Sequence, residues 1–373
     1  MMRTKEAIPP EQQAKSRKRR RTLAGVIGAV ILIAVITVVG LAGYGKEQMN
    51  KIPGMSFKDC LEYTLSGNAD GVITVGMIRD GQTSYTVYGE NGKELSPALH
   101  TYEIGSLTKT FTAALIQRAV ADGQISLDDT VDQYLPLPTE NSYPTIAALL
   151  THTAGFKGWY FETPMIGNFL AGRNDFCGVT DDMVLSKLEE LDMKKEEYPF
   201  VYSNYGYAVL GLVLESVYGE EYTALVNGLA AEQGLTDTHI STGGLANGWD
   251  WREGDAYLAA GALTSNIEDM LRYAQLQLDD TGVCGECHRV IRHIDATTES
   301  NAMMDIHMDS IGMAWITNEE SGVIWHNGGT GHYNCYLGFH PESDTAVVIL
   351  SNLSPSYRIP ATVMGVKLLA ERE

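Results

Sequence analysis

The chain has 373 residues, with 27 Lys and Arg against 47 Asp and Glu for a net charge of −20. At roughly 100–200 residues per domain that is room for one large folded body with a substantial core. A composition of 44% hydrophobic and 20% charged residues excludes a disordered, collagen-like or coiled-coil chain. Residues 1–22 hold eight Lys and Arg against two Glu, which leaves 19 basic and 45 acidic groups, net −26, in the remainder. A body so acidic repels phosphate backbones, so nucleic acid is not an expected partner.

The basic tail, residues 1–22, runs into Leu23 to Tyr44, 22 residues without a charged side chain. A helix of that length covers the ~30 Å hydrocarbon core of a bilayer, and Lys and Arg on one flank stay cytoplasmic. The expectation is a single-pass anchor over 23–44, with the tail inside the cell membrane and the rest outside. A cleaved signal peptide is the closest rival; its apolar stretch is usually only ~7–15 residues. Residues 45–55 read as a linker broken by Pro53-Gly54, and the folded domain is expected over 56–373.

Val72 to Ile78 and Thr83 to Gly89 are β-rich runs around Arg79-Asp80-Gly81-Gln82, a hairpin signal. From Ser106 to Ala121 the apolar period becomes helical, and Gly123 can end that helix. Further helices are read over 145–150, 181–191, 205–217, 221–233 and 266–278. Strands return over 311–316, 322–325, 333–339 and 345–350, and 361–371 reads as a closing helix. The resulting fold class is α+β: one antiparallel sheet built from both ends of the domain, flanked by helices, with an inserted helical subdomain.

The five cysteines are too few for a disulfide scaffold. Cys284 and Cys287, followed by His288 and His293, crowd four candidate zinc ligands into ten residues. Structural zinc sites separate their ligand pairs by a longer loop. A local disulfide or two thiols on a surface insertion is the preferred reading, and no metal or cofactor is called.

The chemistry-bearing residues fall into three groups. Ser106-Leu107-Thr108-Lys109 opens the predicted helix. Residues three apart share a helical face, so the Lys109 amine can return to the Ser106 hydroxyl, and a lysine of depressed pKa can deprotonate a serine. Tyr202-Ser203-Asn204 precedes an apolar helical run, with a phenol able to pass a proton and an amide able to bind a lysine or a carbonyl. His326-Asn327-Gly328-Gly329 lies on a late strand, where glycines admit close backbone approach and an N–H can face an oxyanion. Taken singly, a capped helix with a solvated lysine, a core tyrosine and a glycine-rich hairpin explain each group equally well.

Together, with about 95 and 120 residues between them, the three groups resemble the serine β-lactamase and penicillin-binding family: S-x-x-K, a Tyr motif, then K-T-G. The branch with class C β-lactamases, D-alanyl-D-alanine carboxypeptidases and related esterases is the most similar. Leu149 to Phe156, Tyr202 to Gly219, His326 to Pro341 and Val347 to Asn352 resemble its further segments. The resemblance implies Ser106 as acylated nucleophile, Lys109 as partner base and Tyr202 as general base and acid. It implies Asn204 as a positioning group and the N–H groups of Ser106 and Gly329 as oxyanion hole, with His152 structural. His326 stands for the family's lysine and Asn327 for its threonine, which weakens attraction for a substrate carboxylate. The implied activity is a membrane-anchored serine hydrolase acting on an amide or ester, small-molecule or cell-wall peptide. The alternative is a penicillin-binding or wall-binding sensor that acylates without turnover.

Overall fold

The computed structural model describes residues 50–193, 198–240, 243–280 and 282–371. The anchor read over 23–44, its tail and most of the linker lie outside the described residues. Among the described residues no helix is long and apolar enough to cross a membrane. Before the domain, Ile52–Gly54 forms a single 3₁₀ turn with Pro53 in its first positions.

The domain starts at Ser56, whose side chain and that of Asp59 form a reciprocal capping box at the head of α1 (Phe57–Leu65). The eight-stranded sheet comprises β1 (Ile73–Arg79), β2 (Gln82–Tyr88), β6 (Arg292–His293), β7 (Ser310–Ile311), β8 (Ile316–Thr317), β9 (Ile324–Gly329), β10 (Asn334–His340) and β11 (Thr345–Ser351). Its order is β2-β1-β11-β10-β9-β8-β7-β6, and its pairings are antiparallel. β11 is buried at every position because it sits between β1 and β10 and is covered on both faces. The two ends of the domain therefore share one sheet, as expected. They are also tied directly, the Phe57 N–H donating to the Glu371 carboxylate over 2.7 Å. Asp80 and Gly81 both adopt positive φ in the β1–β2 turn, the geometry a two-residue hairpin with right-twisted strands requires.

The longer helices that follow are α2 (Thr108–Ala121), α3 (Ile146–Leu150), α4 (Thr163–Ala171), α5 (Asp181–Glu189), α6 (Asn204–Tyr218), α7 (Tyr222–Glu232), α8 (Ile267–Leu278) and α9 (Ala361–Ala370). α8 packs on one face of β1, β10 and β11, while α9 packs on β10 and β11 beside α1. A second sheet of three very short strands, β3 (Tyr102–Glu103), β5 (Leu263–Ser265) and β4 (His239–Ile240), holds the chain just ahead of Ser106. Ser56–Glu373 forms one compact unit, and the middle helices share its core with the sheet.

Several expectations change. The helix read from Ser106 begins at Thr108, and Gly105–Leu107 is a 3₁₀ turn. The strand read over 311–316 is instead two strands, β7 and β8, with Ala314 at φ 69° in the turn between them. Cys284 and Cys287 are not on a surface insertion; both are buried. Helices α1 and α4 and the small sheet were not read from the sequence.

Candidate active site

Ser106 sits in the 3₁₀ turn that feeds α2, a helix buried on nearly all sides. The turn forms because Gly105 takes φ +48°, a conformation open to glycine at little cost. A Cβ on Gly105 would also stand only 2.7 Å from the Gly329 nitrogen, so the backbones of the Ser106 turn and of β9 abut. Gly328 has the same role, since a Cβ there would collide with the Ile104 carbonyl oxygen.

Lys109 Nζ lies 3.0 Å from Ser106 Oγ, 2.8 Å from Asn204 Oδ1 and 2.6 Å from the carbonyl oxygen of Ala260. The side chain is fully buried, and desolvation holds its pKa well below the usual lysine value. Ala260 reaches it because Gly211 of α6 brings that helix within 2.9 Å, for an added Cβ, of Ala259, while Thr112 donates to the Ala259 carbonyl over 2.7 Å. A neutral amine has two N–H groups and one lone pair. The carbonyls of Asn204 and Ala260 can only accept, so they take the two N–H groups and leave the lone pair facing Ser106 Oγ–H.

Tyr202 comes in on the extended segment before α6, whose N-cap Ser203 accepts from Gly206 N–H over 3.0 Å and donates to the Lys157 carbonyl over 2.6 Å. Its ring lies under Lys109 Nζ, 4.9 Å from the centroid. Although the residue is 37% exposed, desolvation at the hydroxyl outweighs the hydrogen bond with Ser106 and raises its pKa, so the phenol keeps its proton at neutral pH. Ser106, Lys109, Tyr202 and Asn204 thus converge.

His326 also belongs here. It is 3% exposed, on the same β9 face as Gly328, and its ring lies 6.5 Å from that of Tyr202. Its Nδ1 is 2.6 Å from the Asn327 carbonyl, and desolvation together with the nearby Lys109 pushes its pKa down to about 3. Asn327 does not join the group. Strand alternation turns it to the other face, where its amide donates to Thr362 of α9 over 2.9 Å. A cavity of about 870 Å³ beside Trp325 and α9 lies on that other face as well, and none of the converging residues lines it.

His152, read as structural, proves to support the tyrosine. It adopts φ 57°, rare for a residue with a Cβ, and its ring centroid is 4.4 Å from that of Tyr202. Its Nδ1 accepts the Ser203 N–H over 3.1 Å, which puts the imidazole proton on Nε2, a buried atom without a hydrogen-bond partner among the described residues. Sequence reasoning also missed Ala260, because a carbonyl leaves no residue signature, and Glu103, a buried carboxylate that accepts from Thr330 and from Trp249 N–H. Among the described residues no three His, Cys, Asp or Glu side chains converge as metal ligands.

A serine hydroxyl beside a buried lysine, within a fold of antiparallel sheet flanked by helices, is consistent with the site of a serine hydrolase. A sequence profile of the Beta-lactamase family matches residues 46–363, and the chain belongs to that family. It is similar to a Beta-lactamase of Lysobacter lactamgenus, 23% identical over 332 residues covering 76% of this chain and 82% of that protein. Protein flp of Staphylococcus aureus strain MRSA252 is 23% identical over 282 residues, 69% of this chain but 53% of that protein. The chain thus spans about half the length of the flp proteins. Among solved structures, a beta-lactamase/D-alanine carboxypeptidase from Yersinia pestis superposes with a TM-score of 0.67 at 19% identity, covering 86% of this chain and 97% of the other. A penicillin-binding protein homologue from Pyrococcus abyssi gives 0.66 at 21% identity, covering 89% and 76%. At these identities the superpositions establish the fold.

Proposed function

We propose that the protein is a membrane-anchored, extracytoplasmic serine hydrolase that cleaves an ester or amide through an acyl-enzyme on Ser106. The observation that carries this reading is the Lys109 amine, desolvated and 3.0 Å from Ser106 Oγ with acceptors for both its N–H groups. In the forward step Lys109 takes the Ser106 proton as Oγ attacks the substrate carbonyl carbon. The oxyanion develops between the N–H groups of Ser106 and Gly329. Tyr202 gives its phenolic proton to the leaving oxygen or nitrogen, and the phenolate takes back the proton that Lys109 removed from Ser106. The bond to the leaving group breaks, and water reverses the sequence to release the acid. Burial lowers one pKa and raises the other, which divides the roles: Lys109 is the resting base and Tyr202 the resting acid. The Leu23–Tyr44 run and its basic flank support the anchored topology.

A serine-directed acylating or phosphonylating probe should label Ser106, read by peptide mass spectrometry, and Ser106→Ala should abolish both label and ester turnover. Labelling that persists in Ser106→Ala rejects the assignment. A stable adduct without product release would instead favour the sensor reading.

A further inference from the structure

Helix α4 is packed inside out. Its buried positions are Met165 and Asn168, and the Asn168 amide donates inward to the carbonyls of Asp175 and Cys177 over 3.2 and 2.7 Å. Phe169 and Leu170 are 74% and 78% exposed, and Trp159, Phe161 and Ile166 are each more than half exposed. Turning the helix to bury Phe169 and Leu170 would break both Asn168 bonds, so the outward display is fixed from behind. A single exposed apolar residue is ordinary, whereas five within twelve residues mark a contact surface.

The stretch also differs from the rest of the chain in charge. Residues 157–174 carry Lys157 and Arg173 against one acid, Glu162, in a body of net −26 outside residues 1–22, and no charged side chain lies between Glu162 and Arg173. Arg173 stays exposed although it pairs with Asp250 at 3.3 Å. Two copies of so acidic a body repel each other. An aromatic and aliphatic face with Lys and Arg at its ends is the composition of a contact at the headgroup level of a bilayer. Chain length supplies that bilayer. On the anchored reading only the eleven residues 45–55 separate Tyr44 from the domain, and they reach about 40 Å at full extension. The tether therefore keeps the domain at the lipid surface, where a weak contact suffices. The stretch is bonded to the segment that carries the phenol: the Gly158 carbonyl accepts the Asn204 and Tyr205 N–H groups over 2.8 and 3.2 Å, and the Lys157 carbonyl accepts the Ser203 hydroxyl over 2.6 Å. Val201, next to Tyr202, is exposed as well.

We propose that Trp159 to Leu170 is a membrane-contact face, occupied by the headgroup and upper acyl region of the bilayer, which beds the Tyr202 side of the site on the lipid surface. It rests on the anchored topology proposed above and adds an orientation to it, since a tether fixes only a distance.

The test uses the full chain in phosphatidylcholine vesicles, with and without lipid brominated high on its acyl chains, a quencher of nearby indoles. Subtracting the emission of Trp159→Phe, which keeps the other four tryptophans, isolates Trp159. That emission should fall by about half or more in brominated vesicles, because an indole at headgroup level lies beside the first acyl carbons. Phe169→Ser combined with Leu170→Ser, both on the exposed face, should abolish the quenching. Trp159 emission unchanged by brominated lipid overturns the proposal, as does a folded double variant quenched as strongly as the native chain. If the double variant does not fold, the Trp159 emission of the native chain decides alone. A cross-linked dimer that the double variant loses, with Trp159 unquenched, gives the face to a second copy and overturns the proposal too. Alkaline washing of the same vesicles reports on the anchor separately. A chain stripped by the wash rejects the anchored topology, and quenching before the wash still decides the contact face. A chain retained without quenching rejects the contact face alone.

Discussion

Lys109 is the residue on which the proposed chemistry turns, because an ammonium cannot accept a proton and burial, which lowers its pKa, favours the amine. Replacing it with Met keeps the volume apolar and should lower the rate of Ser106 acylation by about 10²–10⁴, the usual worth of a positioned base, as measured by stopped labelling. The pair Ser106 and Lys109 was legible in the sequence because three-residue spacing survives the change from α-helix to 3₁₀ turn at Ser106. Tyr202 and Asn204 were legible through the family resemblance. Asn327 is set apart from His326 for a reason the sequence does contain: adjacent residues of a strand face opposite ways. The orphaned His152 Nε2 and the Glu103–Thr330 bond come from long-range folding and have no local pattern.

At the scale of elements, the site depends on β9 meeting the Ile104–Ser106 turn with no side chain between them. Gly328→Ala drives a Cβ into the Ile104 carbonyl, so the strand or the turn must move. Because the proposed oxyanion donors sit on those two segments, kcat should fall by about 10²–10³, with labelling of Ser106 slowed in proportion. Unchanged kinetics would show that the contact is not needed. A second prediction concerns α5, α6 and α7. Glu215 of α6 accepts Tyr222 N–H over 2.7 Å, while burial, then Asp181 and Glu221, raise its pKa to about 7, and Asp181 is pushed up to about 6. A carboxyl whose pKa is higher folded than unfolded binds more protons in the native state, so its contribution to stability falls as pH rises from about 4.5 to about 7. Glu215→Gln retains an acceptor for Tyr222. It should raise Tm at pH 8 and lose that advantage near pH 4.5, in thermal melts. The long strands and helices around these features were legible from their period. The two-residue strands of the small sheet are too short to show one, and α4 exposes Ile166, Phe169 and Leu170, the reverse of the pattern that marks a core-facing helix.

Across the whole molecule, distant segments of an acidic chain are drawn to one point by the pairing of its two ends. β1 lies against β11 in register from Ile73–Ser351 to Ile78–Ala346, α8 packs on that seam, and α2 stacks on α8 through Phe111 and Tyr273, with ring centroids 4.1 Å apart. The sheet thereby carries β9 to the Ser106 turn while α6 and the segment before it bring Asn204 and Tyr202 from the other side. The measurement that probes this convergence most directly is the pH dependence of Ser106 labelling by an uncharged phosphonylating reagent. The rate should rise to a plateau with its midpoint well below the usual lysine value, and Lys109→Met should remove that midpoint and most of the rate. A rate that climbs without inflection through pH 10, equal in the native and Lys109→Met proteins, would contradict an amine-activated serine.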